Sequence, residues 1–597
     1  MVVLRLQDAE LESLPYDLLQ AGRKLSFNLG DLFPNLSYPV IEKLDRSLLD
    51  SLFEAQRKSP PDRMGDNATK DFILRHVFGI AAELIGGEVE LLRALLRLHY
   101  GKTRLPDILV HRLIQSLQLA PRPSSLTPDF KAWPLSEIVP DDEAFFAFLQ
   151  ERWPLFLSRL GSAHQVREDS PEYGLKYPGP DRLPFDHQDI KVYIDNLFLE
   201  GKLTPVEAKG IEVDAGSWVR SGIATSGVDD DELRISRLFG LVEKELPTAE
   251  ARYSDWTAFA LKWAELSSLV HCGNSTEYQT RLREIGDALN ATFAAWLADH
   301  YSSLINLPPT NPAMLHHVPR RLARDIEDSG SSRAALIVVD GLALDQWVTI
   351  RQLLQKQDAN LVMRESATFA WIPTLTSVSR QSIFSGKPPL YFPSSINSTN
   401  SEEKLWKQFW EGHGLSRLDV AYQRGLGDGD AAGVLDSAIH PGKTKVVGLV
   451  VYKVDKIMHG MQLGSAGMHN QIKQWCHAGF LSAMVGQLLD YGYEVWLTAD
   501  HGNIQCDGKG RPSEGVIAET RGERVRVYPT PELRAQVAGA FPFAHEWQPV
   551  GLPADYFPLV AGGRDAFVNP GDAIVGHGGV AIEEVIVPLV KFERRTR

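Results

Sequence analysis

From about residue 333 the chain alternates short β-branched runs with stretches at helical spacing. The runs are ALIVVD, TKVVGLVVYKVD, YEVWLTAD, RVRVYPT and VIVPLVKF; ALDQWVTIRQLLQKQ follows the first of them, and QIKQWCHAGFLSAMVGQLLDYG precedes the third. Alternation of this kind predicts a sheet with helices on both faces. An apolar run that stops at an ionisable residue puts that residue at a strand's carboxyl end, where open α/β sheets bind their ligands. Asp340 ends ALIVVD, Asp455 ends VVGLVVYKVD with His459 four residues on, and Asp500 and His501 end YEVWLTADH. His577 lies in GHGG just before IEEVIVP, and Thr376 in IPTLTSVSRQSIFSG. Three Asp, three His and one hydroxyl are the atoms needed for two divalent metals and one nucleophile.

The residues before this region read differently. Residues 1–168 are expected to be mainly helical, with a break at Gly86-Gly87 and with Pro154 as a break or first-turn residue of the helix in 141–161. PRPSSLTPDF (121–130) reads as a loop, and the Pro-, Gly- and charge-rich 169–185 as a linker or exposed loop. A second helical domain is expected over 186–330, because 253–272 and 285–304 repeat apolar residues at three- and four-residue steps. The third domain is 333–597. SSINSTNSEE (394–403) is polar and reads as a loop.

Each candidate residue has two readings on its own. Asp340 before Gly341 suits a metal ligand or a helix N-cap. Asp455 and His459 share one face if the stretch is helical, as a ligand pair or as a solvated face. Asp500-His501-Gly502 is a ligand pair or a capped turn. His577 between glycines is a closely approached ligand or a structural histidine. Thr376 is a hydroxyl that metal coordination could activate, at the start of a helix whose N–H groups would face an anion, or simply that helix's cap. Arg380 either contacts a phosphate oxygen or lies on the solvent face of its helix.

Together these motifs resemble the alkaline phosphatase superfamily, and within it the PglZ domain family known from BREX-type phage-defence systems. The resemblance covers 333–597 and implies an α/β core, a central mostly parallel sheet with helices on both faces, behind a mainly helical N-terminal half. It implies one metal held by Asp455, His459 and His577, and another held by Asp340, Thr376, Asp500 and His501, in the family's order along the chain. In pyrophosphatase-like members the nucleophile precedes a closing Ser/Thr-Gly by a fixed distance; counted back from Ser385-Gly386 that position is Thr376, with Thr374 the second choice. Sulfatases resemble the motif but need Cys or Ser at the start of C/S-x-P-x-R, where this chain has Thr376-Ser-Val-Ser-Arg380. Phosphoglycerate mutases of the superfamily usually use serine and lack a long helical N-terminal half.

The resemblance therefore implies a two-metal hydrolase of phosphoric esters, Zn²⁺ first with Mn²⁺ or Mg²⁺ as alternatives, in which Thr376 attacks phosphorus and a phospho-threonine is hydrolysed. Threonine and the likeness to pyrophosphatases favour a phosphodiesterase on nucleotide-type substrates. The alternatives are a scaffold subunit that meets methyltransferase and ATPase partners through residues 1–330, and a metal-dependent nuclease. A formal net charge of -14 argues against a surface built to wrap duplex nucleic acid. Three scattered cysteines, an N-terminus without a charged-then-apolar pattern, and no 18-residue apolar run fit a cytoplasmic protein without a membrane span.

Overall fold

The computed structural model describes residues 28–100, 105–119, 130–160, 175–207, 217–224, 228–273, 275–329, 333–440, 442–459, 461, 463–512, 518 and 520–595. It divides into two compact units, residues 1–198 with 202–224, and residues 199–201 with 225–597. The three-domain division read from the sequence cuts the chain elsewhere, because it places the helices of 225–330 apart from the sheet.

The described residues of the first unit are mainly helical. Its longer helices, among them Glu88–Tyr100, Asp107–Leu119 and Asp142–Leu160, enclose a core that includes Leu92, Leu96, Phe145, Trp153 and Ile190. Gly86-Gly87 does separate a short 3₁₀ turn, Ala82–Leu84, from the helix that follows. Pro154 breaks nothing: the helix runs through it, anchored on either side of the proline by buried Trp153 and Leu157. The loop expected at 121–130 lies outside the described residues except for Phe130, and so do 169–174 of the expected linker. Residues 175–185 correct the linker expectation. Tyr177, Leu183 and Phe185 are buried, and Arg152 donates to the carbonyls of Tyr177 and Pro180 at 2.9 and 2.8 Å. These apolar anchors outweigh the Pro, Gly and charge around them.

The second unit is built on a six-stranded sheet. Its strands are β1 (Ala334–Val339), β2 (Leu361–Phe369), β3 (Val420–Leu426), β4 (Val446–Val451), β5 (Glu494–Ala499) and β6 (Ile586–Arg594), in the spatial order β2-β6-β5-β1-β4-β3. β1 pairs parallel with β4 and β5, β3 pairs parallel with β4, and β6 runs antiparallel to both β5 and β2. All residues of β1 and β4 are buried, as expected of inner parallel strands covered on both faces. The sequence reading missed β2 and β3. The RVRVYPT run is a strand, Val525–Tyr528, but in a separate antiparallel sheet with 520–521, 544–546 and 557–561.

Two long helices of the 225–330 region, α1 (Tyr253–Cys272) and α2 (Thr276–Leu304), belong to this unit. α1 lies on α3 (Leu344–Gln357): Glu265 pairs with Arg351, and Ser268 Oγ meets Thr349 Oγ1 at 3.1 Å. Trp263 of α1 and Asn290 of α2 both donate to Glu583, and Asn290 accepts from the Ile582 N–H at 2.8 Å. The two helices thereby fasten the segment that leads from His577 into β6. No described helix is long and apolar enough to cross a membrane.

Candidate metal centre

The parallel strands bring their carboxyl ends to one edge, and the ionisable residues gather there. Asp340 follows β1, with its N–H donating to Val451 O at 2.9 Å. Gly341 then turns the chain at φ +72°, a left-handed angle that favours glycine; a side chain there would come 3.7 Å from both the Asp455 backbone and the His501 ring. Asp455 and His459 lie in the short helix α4 (Lys453–His459) directly after β4, and Asp500 and His501 directly follow β5. His577 follows the strand Ala573–Gly576.

Two clusters result. Asp455, His459 and His577 offer ligand atoms within 4.8 Å of one another, and so do Asp340, Asp500 and His501. Their His501 and His577 rings stack at 3.8 Å. In the first cluster the helix sets Asp455 Oδ1 3.2 Å from His459 Nε2, the i,i+4 geometry expected of one helical face. The His459 side chain is half-exposed. His577 Nδ1 lies 2.7 Å from Thr374 O, and His501 Nδ1 lies 2.9 Å from Gly502 O. A backbone carbonyl at Nδ1 thus fixes each ring and leaves Nε2 as the ligand atom, as in metal-binding histidines.

The second cluster is fully enclosed. Asp500 Oδ1 accepts from the backbone N–H of Gly341 and of His501, each at 3.0 Å, while its buried Oδ2 has no hydrogen-bond partner. Burial pushes the Asp500 carboxyl far above its usual range, and nearby Asp340 adds to the shift. Burial also raises Asp340, against the pull of Arg380. Burial drives the His501 imidazole well down, His577 adding to it, so that His501 is neutral. The residues fit a divalent cation: it would give Asp500 Oδ2 its missing partner and offset the cost of two buried carboxylates.

Thr376 faces this cluster. It is the first residue of helix α5 (Thr376–Ser385); the cap position is Leu375, and no side chain caps the helix. Instead, Thr376 Oγ1 lies 3.0 Å from His501 Nε2 and 3.5 Å from Asp340 Oδ1. Thr374 is committed elsewhere: fully buried, it donates to Gly579 O at 3.0 Å and accepts from the Gly578 N–H at 2.9 Å. Ser379 is likewise buried, facing the Trp371 N–H.

Of the two expectations for Arg380, burial excludes the solvent face: the residue is 1% exposed. Its Nη1 donates to Asp340 Oδ2 at 2.8 Å, and its Nη2 to Glu402 at 2.7 Å and to the Tyr452 hydroxyl at 3.1 Å. It stands behind Asp340, with Nη1 and Nη2 engaged and its buried Nε without a hydrogen-bond partner.

Several supporting residues escaped the sequence reading. Asn503 donates to Gly341 O at 2.7 Å and exchanges hydrogen bonds with Gln346, locking the turn after Asp340; its only signal was its place just after Asp500-His501-Gly502. Glu584, fully buried against Arg524, accepts from the N–H groups of Gly579 and Ala581 and shapes the loop of His577. Glu402, within the 394–403 run expected to be a polar loop, instead begins the helix Glu402–Glu411 and is completely buried. In front of Thr376 and His577 an open groove of about 390 Å³ is lined by Leu375, Ser377 and residues 397–400.

Residues 318–592 match the family model of the BREX system PglZ alkaline phosphatase-like domain. No curated protein matches the sequence. Among solved structures, the chain is similar to mouse ectonucleotide pyrophosphatase/phosphodiesterase 5, with a TM-score of 0.33, 13% identity, and coverage of 43% of this chain and 87% of that one. It is similar to the human protein of that name, with a TM-score of 0.31, 10% identity and the same coverage. It is also similar to phosphonoacetate hydrolase from Sinorhizobium meliloti, with a TM-score of 0.29, 13% identity, and coverage of 44% of this chain and 90% of that one.

Proposed function

We propose, from the PglZ alkaline phosphatase-like domain that residues 318–592 form, that this phosphoester hydrolase is a two-metal phosphodiesterase acting on nucleotide-type substrates through Thr376. The observation that carries the reading is the position of Thr376 Oγ1, 3.0 Å from His501 Nε2 and 3.5 Å from Asp340 Oδ1 at the head of a helix. A hydroxyl that merely capped that helix would point to its own first-turn N–H groups.

Asp340, Asp500 and His501 would hold one divalent cation and Asp455, His459 and His577 the other, Zn²⁺ being the best match to mixed imidazole and carboxylate donors. Bound there, the cations would supply a lowered pKa at the Thr376 hydroxyl and compensation for charge on the phosphoryl oxygens. Thr376 Oγ1 attacks phosphorus, the P–O bond to the leaving group breaks, and water later cleaves the phospho-threonine ester. The head of α5 borders the groove through Leu375, Thr376 and Ser377, and a helix N-terminus there would favour an anion. Asp500, pinned by the N–H groups of Gly341 and His501, and His501, pinned by Gly502 O, keep the cluster rigid around the attacking oxygen. The family's BREX label supports a place in an antiphage defence system, with residues 1–330 as the surface for protein partners.

The test uses purified protein and metal analysis. Two equivalents of bound metal, and faster hydrolysis of bis-p-nitrophenyl phosphate than of p-nitrophenyl phosphate, are expected. Faster monoester cleavage would reverse the diesterase assignment, and the absence of bound metal would sink the whole site.

A further inference from the structure

We infer that Arg380 and Glu402 form a charge-neutral brace that holds Asp340 in a one-oxygen binding mode without opposing a cation beside it. The inference rests on the reading of Asp340 as a metal ligand. Arg380 is a positioning residue in it, since it reaches Asp340 and not the groove.

The geometry divides the two oxygens of Asp340. Oδ2 receives Arg380 Nη1 at 2.8 Å, whereas Oδ1 faces Thr376 Oγ1 at 3.5 Å and His501 Nε2 at 3.8 Å. One oxygen is thus occupied by the guanidinium and only the other is presented to the cluster. The guanidinium is itself fixed, by Glu402 Oε2 at 2.7 Å, by the Tyr452 hydroxyl at 3.1 Å, and by stacking 5.0 Å from the Tyr452 ring. Glu402 is held in turn by the Tyr422 hydroxyl.

Charge explains why the acid is needed. A buried arginine next to a divalent site would repel the cation that Asp340 and Asp500 attract. Glu402, 0% exposed, cancels that charge within hydrogen-bond distance. Asp340 and Asp500 then face one divalent ion with their two charges undiminished, while Arg380 still gives a directional hydrogen bond. The brace also joins two places in the chain: Glu402 begins the helix Glu402–Glu411 just past residues 397–400, which line the groove.

The test is a charge cycle read by zinc titration of the full chain, with activity as a second readout. Glu402→Gln leaves the arginine uncompensated, and it should weaken zinc at the Asp340 site by roughly tenfold or more, the scale of one added charge in a partly dry site. The Asp455 site should lose less, because Arg380 contacts Asp340 directly and is hydrogen-bonded to none of Asp455, His459 and His577. Arg380→Gln with Glu402→Gln restores neutrality and should recover most of the lost affinity, yet its Co²⁺-loaded form should show an altered visible spectrum because Asp340 is no longer held to one oxygen. Should either variant fail to fold by circular dichroism, Arg380→Met with Glu402→Met, which removes both charges at similar volume, takes the place of the double variant. Undiminished zinc affinity in Glu402→Gln, equal loss at both sites, or no recovery in the neutral double variant would overturn the brace. A wild type that binds no zinc would instead sink the metal-site reading beneath it.

Discussion

Thr374 and Thr376 are two residues apart, and the structure gives their hydroxyls opposite jobs, so removing each one at nearly constant volume separates them. In Thr374→Val the Gly578 N–H and the Gly579 carbonyl lose their partner inside a fully buried loop. Two lost hydrogen bonds at about 1 kcal/mol each, with the added cost of buried groups left unpaired, make a destabilisation of about 2–4 kcal/mol. Because that loop carries His577, zinc at the Asp455 site should weaken while the Asp340 site holds. Thr376→Val removes a hydroxyl whose neighbours are His501 Nε2 and Asp340 Oδ1 at 3.0 and 3.5 Å. Its cost in stability should stay within about 1 kcal/mol, while turnover falls by about a thousandfold or more, as when a covalent nucleophile is deleted. Urea unfolding followed by tryptophan fluorescence, beside hydrolysis of bis-p-nitrophenyl phosphate, reads both quantities. Thr374→Ser, which keeps the hydroxyl, should retain most of the stability. If Thr376→Val retained activity, or if Thr374→Val unfolded like wild type, the assignment of the two hydroxyls would be refuted.

Other outcomes follow from the same geometry. Chelation should lower the melting temperature, because cations that bind only the folded site stabilise it by about 2.7 kcal/mol at free metal a hundredfold above Kd; an unchanged melting curve in EDTA would contradict the two clusters. His469 carries a pH dependence: burial alone would lower its imidazolium, but the hydrogen bond and charge of Asp345 at 2.9 Å push it up to about 9. A folded-state pKa above the unfolded value near 6.5 contributes stability that is fully present below about pH 6.5 and lost as pH rises through about 9, a decline that His469→Gln should abolish in melting curves. Gly502→Ala would put a Cβ 1.9 Å from Glu583 O beside His501; about 3 kcal/mol or more of destabilisation is expected in urea unfolding, and a neutral result would mean the two segments are not in contact.

What the sequence displayed depended on how far each residue's job could be seen in its neighbours along the chain. β1, β4 and β5 are inner strands, so their apolar runs are continuous and stop sharply at Asp340, before Asp455 and at Asp500; the end of each run marks the sheet edge. β2, with LVMRESATF, and β3, with VAYQRGL, lie at the sheet's two edges and mix polar residues into half-buried patterns, so neither stood out as a strand. α1 and α2 showed clear helical spacing, yet periodicity says nothing of what the apolar face covers. Their tie to the sheet region runs through Glu265–Arg351 and Asn290–Glu583, pairs 86 and 293 residues apart. The clustered Asp and His residues stood out because metal chemistry admits few residue types, and Thr376 because the spacing to Ser385-Gly386 implied by the family resemblance singled it out. Arg380 was visible, but its partners were not.

The hidden partners share one design. Each candidate cluster is backed by a buried Arg–Glu pair: Arg380–Glu402 behind Asp340, and Arg524–Glu584 under the loop of His577. Glu584 gives both oxygens to that loop, accepting from Gly579 and Ala581, while Arg524 donates to the carbonyls of Gly563 and Asp565. A buried ion pair is a poor way to gain stability, since desolvation offsets most of its attraction. It is a good way to fix direction, because a guanidinium and a carboxylate together present several rigid donors and acceptors and no net charge. Beside a cation site that neutrality matters more than the stability forgone, for a single charge of either sign would alter the affinity of the metal it was meant to position. In the sequence such acids stand in NSEE and IEEV, where they look like ordinary surface glutamates; only the fold, by burying each against an arginine tens of residues away, shows that they belong to the site.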